Sequence, residues 1–260
     1  MANPNVNERG YLYGKWHTGP ATWTIMIQGS PHFIYLLIGE EKAMLIDTFY
    51  GQGDLRAFVE TITDKPLIVA NTHGHFDHTG GNAFWEECWM SEPATHDCKH
   101  AFGEEMQKHM DAMPHPDYKC RVIADGEKID LGGRIVECIA IGAHHPGSMA
   151  FLDHGERQLF TGDELDGGQV LLSRENVPTH LANMEKLKAR AAEFDVINPA
   201  HNGTHLMPGI LDDFIALDKA IIAGTIEPLE SSAGFGWPEG GAFGGGKSTR
   251  YNLGEAHICV

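Results

Sequence analysis

Residues 71–82 read NTHGHFDHTGGN, and His73, His75, Asp77 and His78 put four metal-competent side chains in six positions. Imidazole and carboxylate are the donors that divalent transition metals take from proteins. A catalytic zinc uses about three protein ligands and leaves one position for water. Four donors therefore exceed one open site. Alternate side chains of an extended chain share a side, which groups His73 with His75. Asp77 and His78 follow a turn and can face a second ion. Two ions need further donors, and the sequence offers three, each at the end of a predicted strand: His144 in GAHHPGS, Asp163 in FTGD and His201 in NPAHNG. A carboxylate between two ions can bridge them at about 3.5–4 Å separation.

These donors need a frame. Leu67–Ala70 is a short apolar run, read as a buried strand that carries the histidine segment to a sheet edge, where α/β proteins keep their sites. Residues 33–38 and 43–47 read as a hairpin, and Leu55, Phe58, Val59 and Ile62 recur at helical spacing. A second helix is predicted from Asn82 through Phe84, Trp85 and Trp89, and a third, more polar one over 96–110, with His96, His100 and His109 on its solvated face. Strands follow at 121–124, 127–130 and 134–141, then a hairpin of 149–153 and 158–161. A helix capped by Thr179 carries Leu181, Met184, Leu187 and Ala191. A strand at 196–198 leads into His201, and a helix after Pro208 stops at Gly224. Two strand-rich halves with helices outside predict an α/β fold: two sheets packed together and covered by helices on both outer faces. Residues 1–226 form its body. Residues 227–260, a loop rich in glycine and aromatics with a terminal strand near 256–260, belong to the same domain.

Composition narrows the function. The 260 residues carry 19 basic against 36 acidic side chains, a formal charge of −17 that repels nucleic acid. No run is long and apolar enough to span a bilayer, and the first residues show no secretory pattern. Five scattered cysteines, none in a CxxC pair, fit reduced thiols and a cytoplasmic setting. Residues 241–248, GAFGGGKS, match a phosphate-loop pattern but lack the strand before and the helix after that such a loop requires. That match is read as coincidence. Histidines outside the motifs, His32 among them, are read as ordinary.

In order and across most of the chain, HGHFDH, AHHPGS, FTGDE and NPAHNG resemble the successive motifs of the metallo-β-lactamase superfamily. The resemblance implies a four-layer αβ/βα sandwich of two mixed sheets flanked by helices, with a dinuclear site at one end of the sheets. It gives the first ion His73, His75 and His144, and the second Asp77, His78 and His201, with Asp163 bridging. Asp47 resembles the family's buried aspartate beneath the site. In the third motif IGAHH replaces the usual TPGHT, so His144 and His145 both stand as candidates, with the alignment of Pro146-Gly147-Ser148 favouring His144.

The flavodiiron branch has a glutamate where His75 stands, and the cysteine-ligand β-lactamases have cysteine where Asp163 stands. The expectation is therefore a hydrolase with two zinc ions per chain, although iron and manganese suit similar donors. A hydroxide bridging the ions would attack a lactone, ester, thioester or amide carbonyl, with Asp77 orienting it. An iron redox enzyme like the persulfide dioxygenases is the alternative; a β-lactamase or nuclease ranks below. Trp16, Trp23, Trp237 and Tyr251 are candidates for the substrate pocket, and Lys247 and Arg250 for holding a substrate carboxylate. The partner expected is a small molecule. The same aromatics would allow a homodimer.

Overall fold

Strict alternation in the strands decides the layers. In β3 (Phe33–Ile38), Tyr35 and Leu37 turn one way and Ile34 and Leu36 the other, and all four are buried. Both faces of this strand are therefore covered. The computed structural model describes residues 13–99, 118–229 and 249–260.

One sheet has seven strands in chain order: β1 (Tyr13–Gly19), β2 (Thr22–Ile27), β3, β4 (Ala43–Ile46), β5 (Leu67–Ala70), β6 (Glu87–Met90) and β7 (Lys119–Val122). Neighbours run antiparallel as far as β4 and parallel beyond it. A second sheet combines β8 (Lys128–Asp130), β9 (Ile135–Ala140), β10 (Met149–Asp153), β11 (Gln158–Gly162) and β13 (Val196–Pro199), in the order 13-11-10-9-8. A small third sheet joins β12 (Val170–Leu171), β14 (Arg250–Leu253) and β15 (Ala256–Cys259). The helices are α1 (Leu55–Glu60), α2 (Phe76–Thr79), α3 (Glu92–Asp97), α4 (Val177–Ala189) and α5 (Ile210–Ala223).

Three apolar clusters separate four layers. Between the large sheets, Tyr35, Leu37, Met44 and Ile46 meet Val136, Cys138, Met149, Phe151 and Phe160. Outside the seven-stranded sheet, Ile34, Leu36 and Leu45 pack on Leu55, Phe58 and Val59 of α1 and Ala94 of α3. Outside the five-stranded sheet, Ile139, Leu152 and Leu159 pack on Met184 and Leu187 of α4, Phe214 and Leu217 of α5, and Tyr251 and Ile258 of the third sheet. The expected αβ/βα sandwich is present, and the third sheet adds to it. Among the described residues, no helix is long and apolar enough to cross a membrane.

Three local expectations are corrected. The helix predicted from Asn82 is one 3-10 turn over Asn82–Phe84, followed by strand β6. There Cys88 and Met90 are buried at a period of two, and pairing with β5 and β7 overrides local helical spacing. The next helix is α3, which starts earlier, with a proline in its first turn. The rest of the predicted 96–110 helix lies outside the described residues beyond Lys99. In α4 the cap is Asn176 instead of Thr179, and His180, not Leu181, is buried on the inner face.

One buried cation ties the large sheets together. Arg134 Nη2 pairs with Asp153 at 2.6 Å, while its Nη1 donates to the carbonyls of Ala21 and Ile38 at 2.8 and 3.0 Å. Every strong donor thus has an acceptor, as a buried guanidinium requires.

Candidate metal centre

The donors meet at one end of the sheets because the strands that precede them end there. Leu67–Ala70 delivers residues 71–78, β9 delivers His144, β11 delivers Asp163 and β13 delivers His201. Glycines allow the close approach. A Cβ on Gly80 would lie 2.4 Å from the Tyr50 carbonyl carbon, and one on Gly81 2.5 Å from the Thr48 oxygen. That pair lets α2 lie directly on the loop after β4.

Two donor sets result. Nδ1 of His75 stands 3.0 Å from Nε2 of His73 and 3.0 Å from Nε2 of His144. In the second set, Nε2 of His78 lies 3.5 Å from Asp77 and 3.3 Å from Asp163, and Nε2 of His201 lies 3.4 Å from each carboxylate. Asp163 faces both: its Oδ1 points to His78 and His201, its Oδ2 to His144 at 3.6 Å. His73 and His78 are wholly buried, whereas the Asp163 and His201 side chains are 16% and 19% exposed. The cluster opens to solvent on that side.

Hydrogen bonds on the far side of the rings fix which nitrogen faces in. Thr72 Oγ1 donates its one proton to Asp47 Oδ2 at 2.8 Å, so it must accept from His73 Nδ1 at 3.1 Å. His78 Nδ1 donates to Asp47 Oδ2 at 2.9 Å, and His144 Nδ1 to the Leu171 carbonyl at 2.7 Å. Each inward Nε2 is thereby available as a lone-pair donor, the arrangement metal-ligating histidines show. Asp47 also accepts from the Thr72 amide at 2.8 Å and holds a left-handed backbone, φ 65°.

His145 turns away. Its Nε2 meets Asp97 at 2.9 Å and its Nδ1 accepts from the Gly147 amide. His144 is the histidine of that pair that the structure brings to the cluster.

The residues fit a pair of cations. Asp77 Oδ1, Asp163 Oδ1 and His78 Nε2 are buried without a hydrogen-bond partner. His75 Nδ1 has at most one proton to share between His73 Nε2 and His144 Nε2, each 3.0 Å away, so at least one inward lone pair is left for a cation. The electrostatics agree. Burial, then the neighbouring His144, pushes His75 down to about 3, so it stays a neutral donor. Burial alone would raise Asp77 and Asp163, yet the adjacent His78 and His201 hold both well below the ordinary carboxylate range. The carboxylates in turn raise both imidazoles, so without an ion these two histidines carry the positive charge that a cation would replace. Asp77 and Asp163 are therefore ionised, as ligands must be.

Glu164 positions the third motif. Its Oε1 accepts from the amides of Ala143 and His144, both at 2.8 Å. Its own carbonyl accepts from His180 Nε2 at 2.8 Å, and His180 Nδ1 is tied to Asp218 at 2.8 Å. The helix layer thus reaches the centre through one buried histidine. Motif reading missed Glu164 and His180, although Glu164 adjoins Asp163 in the sequence.

The expected pocket residues scatter. Trp16 lies partly buried on the inner face of β1, edge-on to Phe33. Trp23 faces the opposite side, packed against the α1 layer under His17 and Lys15, so the structure does not bring it to the centre. Tyr251 is buried in the outer core, hydrogen-bonded by Arg174, and Arg250 reaches toward the Gly168 carbonyl. Trp237 and Lys247 lie outside the described residues. A cavity of about 190 Å³ opens instead between the β2–β3 turn and the loop after β4, lined by Gln28, Ser30, His32, Phe49, Tyr50 and Gln52 among others. His32 connects it to the cluster, with its ring centroid 4.2 Å from that of His201. No local signal marks His32, because only tertiary register puts it there.

The chain is similar to known proteins in sequence and in fold. An acyl-coenzyme A thioesterase, MBLAC2 of Gallus gallus, is 24% identical over 186 residues, 59% of this chain and 65% of that protein. Hydroxyacylglutathione hydrolase GloC of Haemophilus influenzae is 28% identical over 143 residues, 50% of this chain and 65% of that protein. The matches thus span just under two thirds of these relatives. The fold of a metallo-β-lactamase from Pontibacter korlensis superposes with a TM-score of 0.62 at 17% identity, covering 80% of this chain and 99% of that one. The family model of the metallo-beta-lactamase superfamily matches residues 27–224, which hold all four donor motifs and the strands that carry them. By motif order, fold and family model together, the chain belongs to the metallo-beta-lactamase superfamily.

Proposed function

We propose that the chain is a dinuclear zinc hydrolase that cleaves thioesters of small thiols. One observation carries the reading: Asp163 belongs to the set of Asp77, His78 and His201 through Oδ1 and turns its Oδ2 toward His144 of the other set. The first ion would be held by His73, His75 and His144, the second by Asp77, His78 and His201, with Asp163 between. When bound, such ions polarise a carbonyl and acidify a water.

The protein's own groups supply the rest. Asp77 Oδ1, free of hydrogen-bond partners, accepts the proton of the attacking water. As the carbon–sulfur bond breaks, Asp77 can return that proton to the departing sulfur. A thiolate, whose conjugate acid has a pKa of about 8.5, leaves readily without a dedicated acid. His73 and His78, fully buried, keep bulk water from the inner side, while Asp163 and His201 border the open side.

The relatives' names support thioesters as the class. The charge of −17 weighs against a polyphosphorylated carrier, which favours a short peptide thiol over coenzyme A. The test is a matched panel of acyl-glutathione, acyl-coenzyme A, lactone and aryl ester, assayed after chelation and after zinc is restored. Zinc-dependent turnover, fastest on the glutathione thioester, is expected. Activity that survives chelation would overturn the metal reading, and faster ester or lactone turnover the substrate reading.

A further inference from the structure

His32 stands just before β3 in Gly29-Ser30-Pro31-His32-Phe33, a stretch without metal-binding spacing. Register gives it significance. Phe33 N donates to Ala200 O at 2.7 Å and Asn202 N to Pro31 O at 2.9 Å. His32 and His201 therefore oppose each other as an antiparallel pair flanked by hydrogen bonds. In such pairs the Cα atoms are about 4.5 Å apart and the side chains share a face. Where His201 points, His32 points.

The His32 ring centroid lies 4.2 Å from that of His201 and 5.0 Å from that of His78. Phe49 and Tyr50 meet it edge-on at 5.0 and 5.8 Å. The residue is 2% exposed, and neither ring nitrogen has a hydrogen-bond partner. An imidazole stripped of water on both nitrogens is costly to bury unless something else engages it. Ring nitrogens of His32, His78 and His201 lie within 4.8 Å of one another, and so do the donor atoms of Asp77, His78, Asp163 and His201. The two sets share His78 and His201. An ion held by that shared pair can draw on carboxylates from one set and a third imidazole from the other.

We propose that His32 is a ligand of the second ion, which then has three imidazoles beside the carboxylates of Asp77 and Asp163. The assignment rests on the two-ion reading. A further neutral nitrogen donor shifts preference toward zinc, iron, copper or nickel and away from manganese or magnesium. It also makes the β2–β3 turn, which lines the 190 Å³ cavity, part of the metal shell.

Cobalt(II) titration of the chelated full-length protein tests this, read by visible absorption and by the hyperfine-shifted imidazole N–H signals. Two ions per chain are expected for the wild type. In H32F the second equivalent should bind roughly 10–100-fold more weakly, with one imidazole signal lost and the first equivalent unchanged. H32N, which keeps a polar group at the buried position, should show the same losses and guards against misfolding of H32F. An unchanged second equivalent with all imidazole signals present, in either variant that still takes up the first ion, overturns the role of His32 alone. Fewer than two ions in the wild type overturns the two-ion reading and this assignment with it.

Discussion

Asp47 lies behind the donors, yet its contacts decide where they point. Its carboxylate takes the Thr72 amide and hydroxyl and the His78 Nδ1 proton, so one residue orients His73 indirectly and His78 directly. Removing it leaves the His78 ring free to rotate and an amide without an acceptor. Asp47→Ala is expected to weaken zinc binding about 10–100-fold, measured by competition with a chromophoric chelator; Asp47→Asn, which keeps an oxygen for the Thr72 amide, should lose less. At this scale the sequence was informative wherever chemistry is local. The seven side chains that the structure gathers come from four motifs, each a few residues long. Asp47 followed from resemblance, and His32 could not be found, because its meaning comes from a backbone pairing with His201 across 169 positions.

At the scale of elements, the centre depends on the helix layer behind it. Glu164, at the end of β11, pins the amides of Ala143 and His144, and His180 of α4 with Asp218 of α5 pins Glu164 in turn. Against the effect of burial, the hydrogen bond and charge of Asp218 raise His180 above its ordinary value. Glu164→Ala should weaken the first ion in preference to the second, which sequential titration of the two sites would show. His180→Phe leaves Asp218 and the Glu164 carbonyl without their buried hydrogen-bond partner and should lower unfolding stability by about 1–3 kcal/mol, measured by urea denaturation. Strands written as short apolar runs, such as β3, and the helix ending at Gly224, with its φ of 64°, were readable from sequence. Strand β6 was not. Phe84, Trp85 and Trp89 suggested a helix, but parallel pairing with β5 and β7 outweighed that preference. The inward turn of His180 was equally hidden, since its partners lie on other elements.

Across the whole molecule, two charged groups hold layers in place. Arg134 joins Asp153 of the second sheet to the carbonyls of Ile38 in the first and of Ala21 in the turn between β1 and β2. Arg134→Ala strands Asp153 inside the protein and is expected to cost about 3–5 kcal/mol of stability. On the outer side, Glu137 of β9 meets both terminal nitrogens of Arg190 just after α4, at 2.7 and 3.0 Å. The hydrogen bonds from Arg190 hold Glu137 down to about 2, against an ordinary 4.5. A carboxyl depressed on folding stabilises the native state above its unfolded value and loses that contribution as pH falls through its folded value. The stability gap between wild type and Glu137→Gln should therefore be full above pH 4.5 and close toward pH 2 in thermal melts.

All of these layers converge on the claim that Asp163 stands between two cations. Crystals grown with zinc, with diffraction measured on both sides of the zinc absorption edge, test it directly. The structure predicts two anomalous peaks about 3.5–4 Å apart, one beside His73, His75 and His144 and the other beside Asp77, His78 and His201, with an Asp163 oxygen toward each. A single peak, or peaks that leave Asp163 outside both coordination shells, would contradict it.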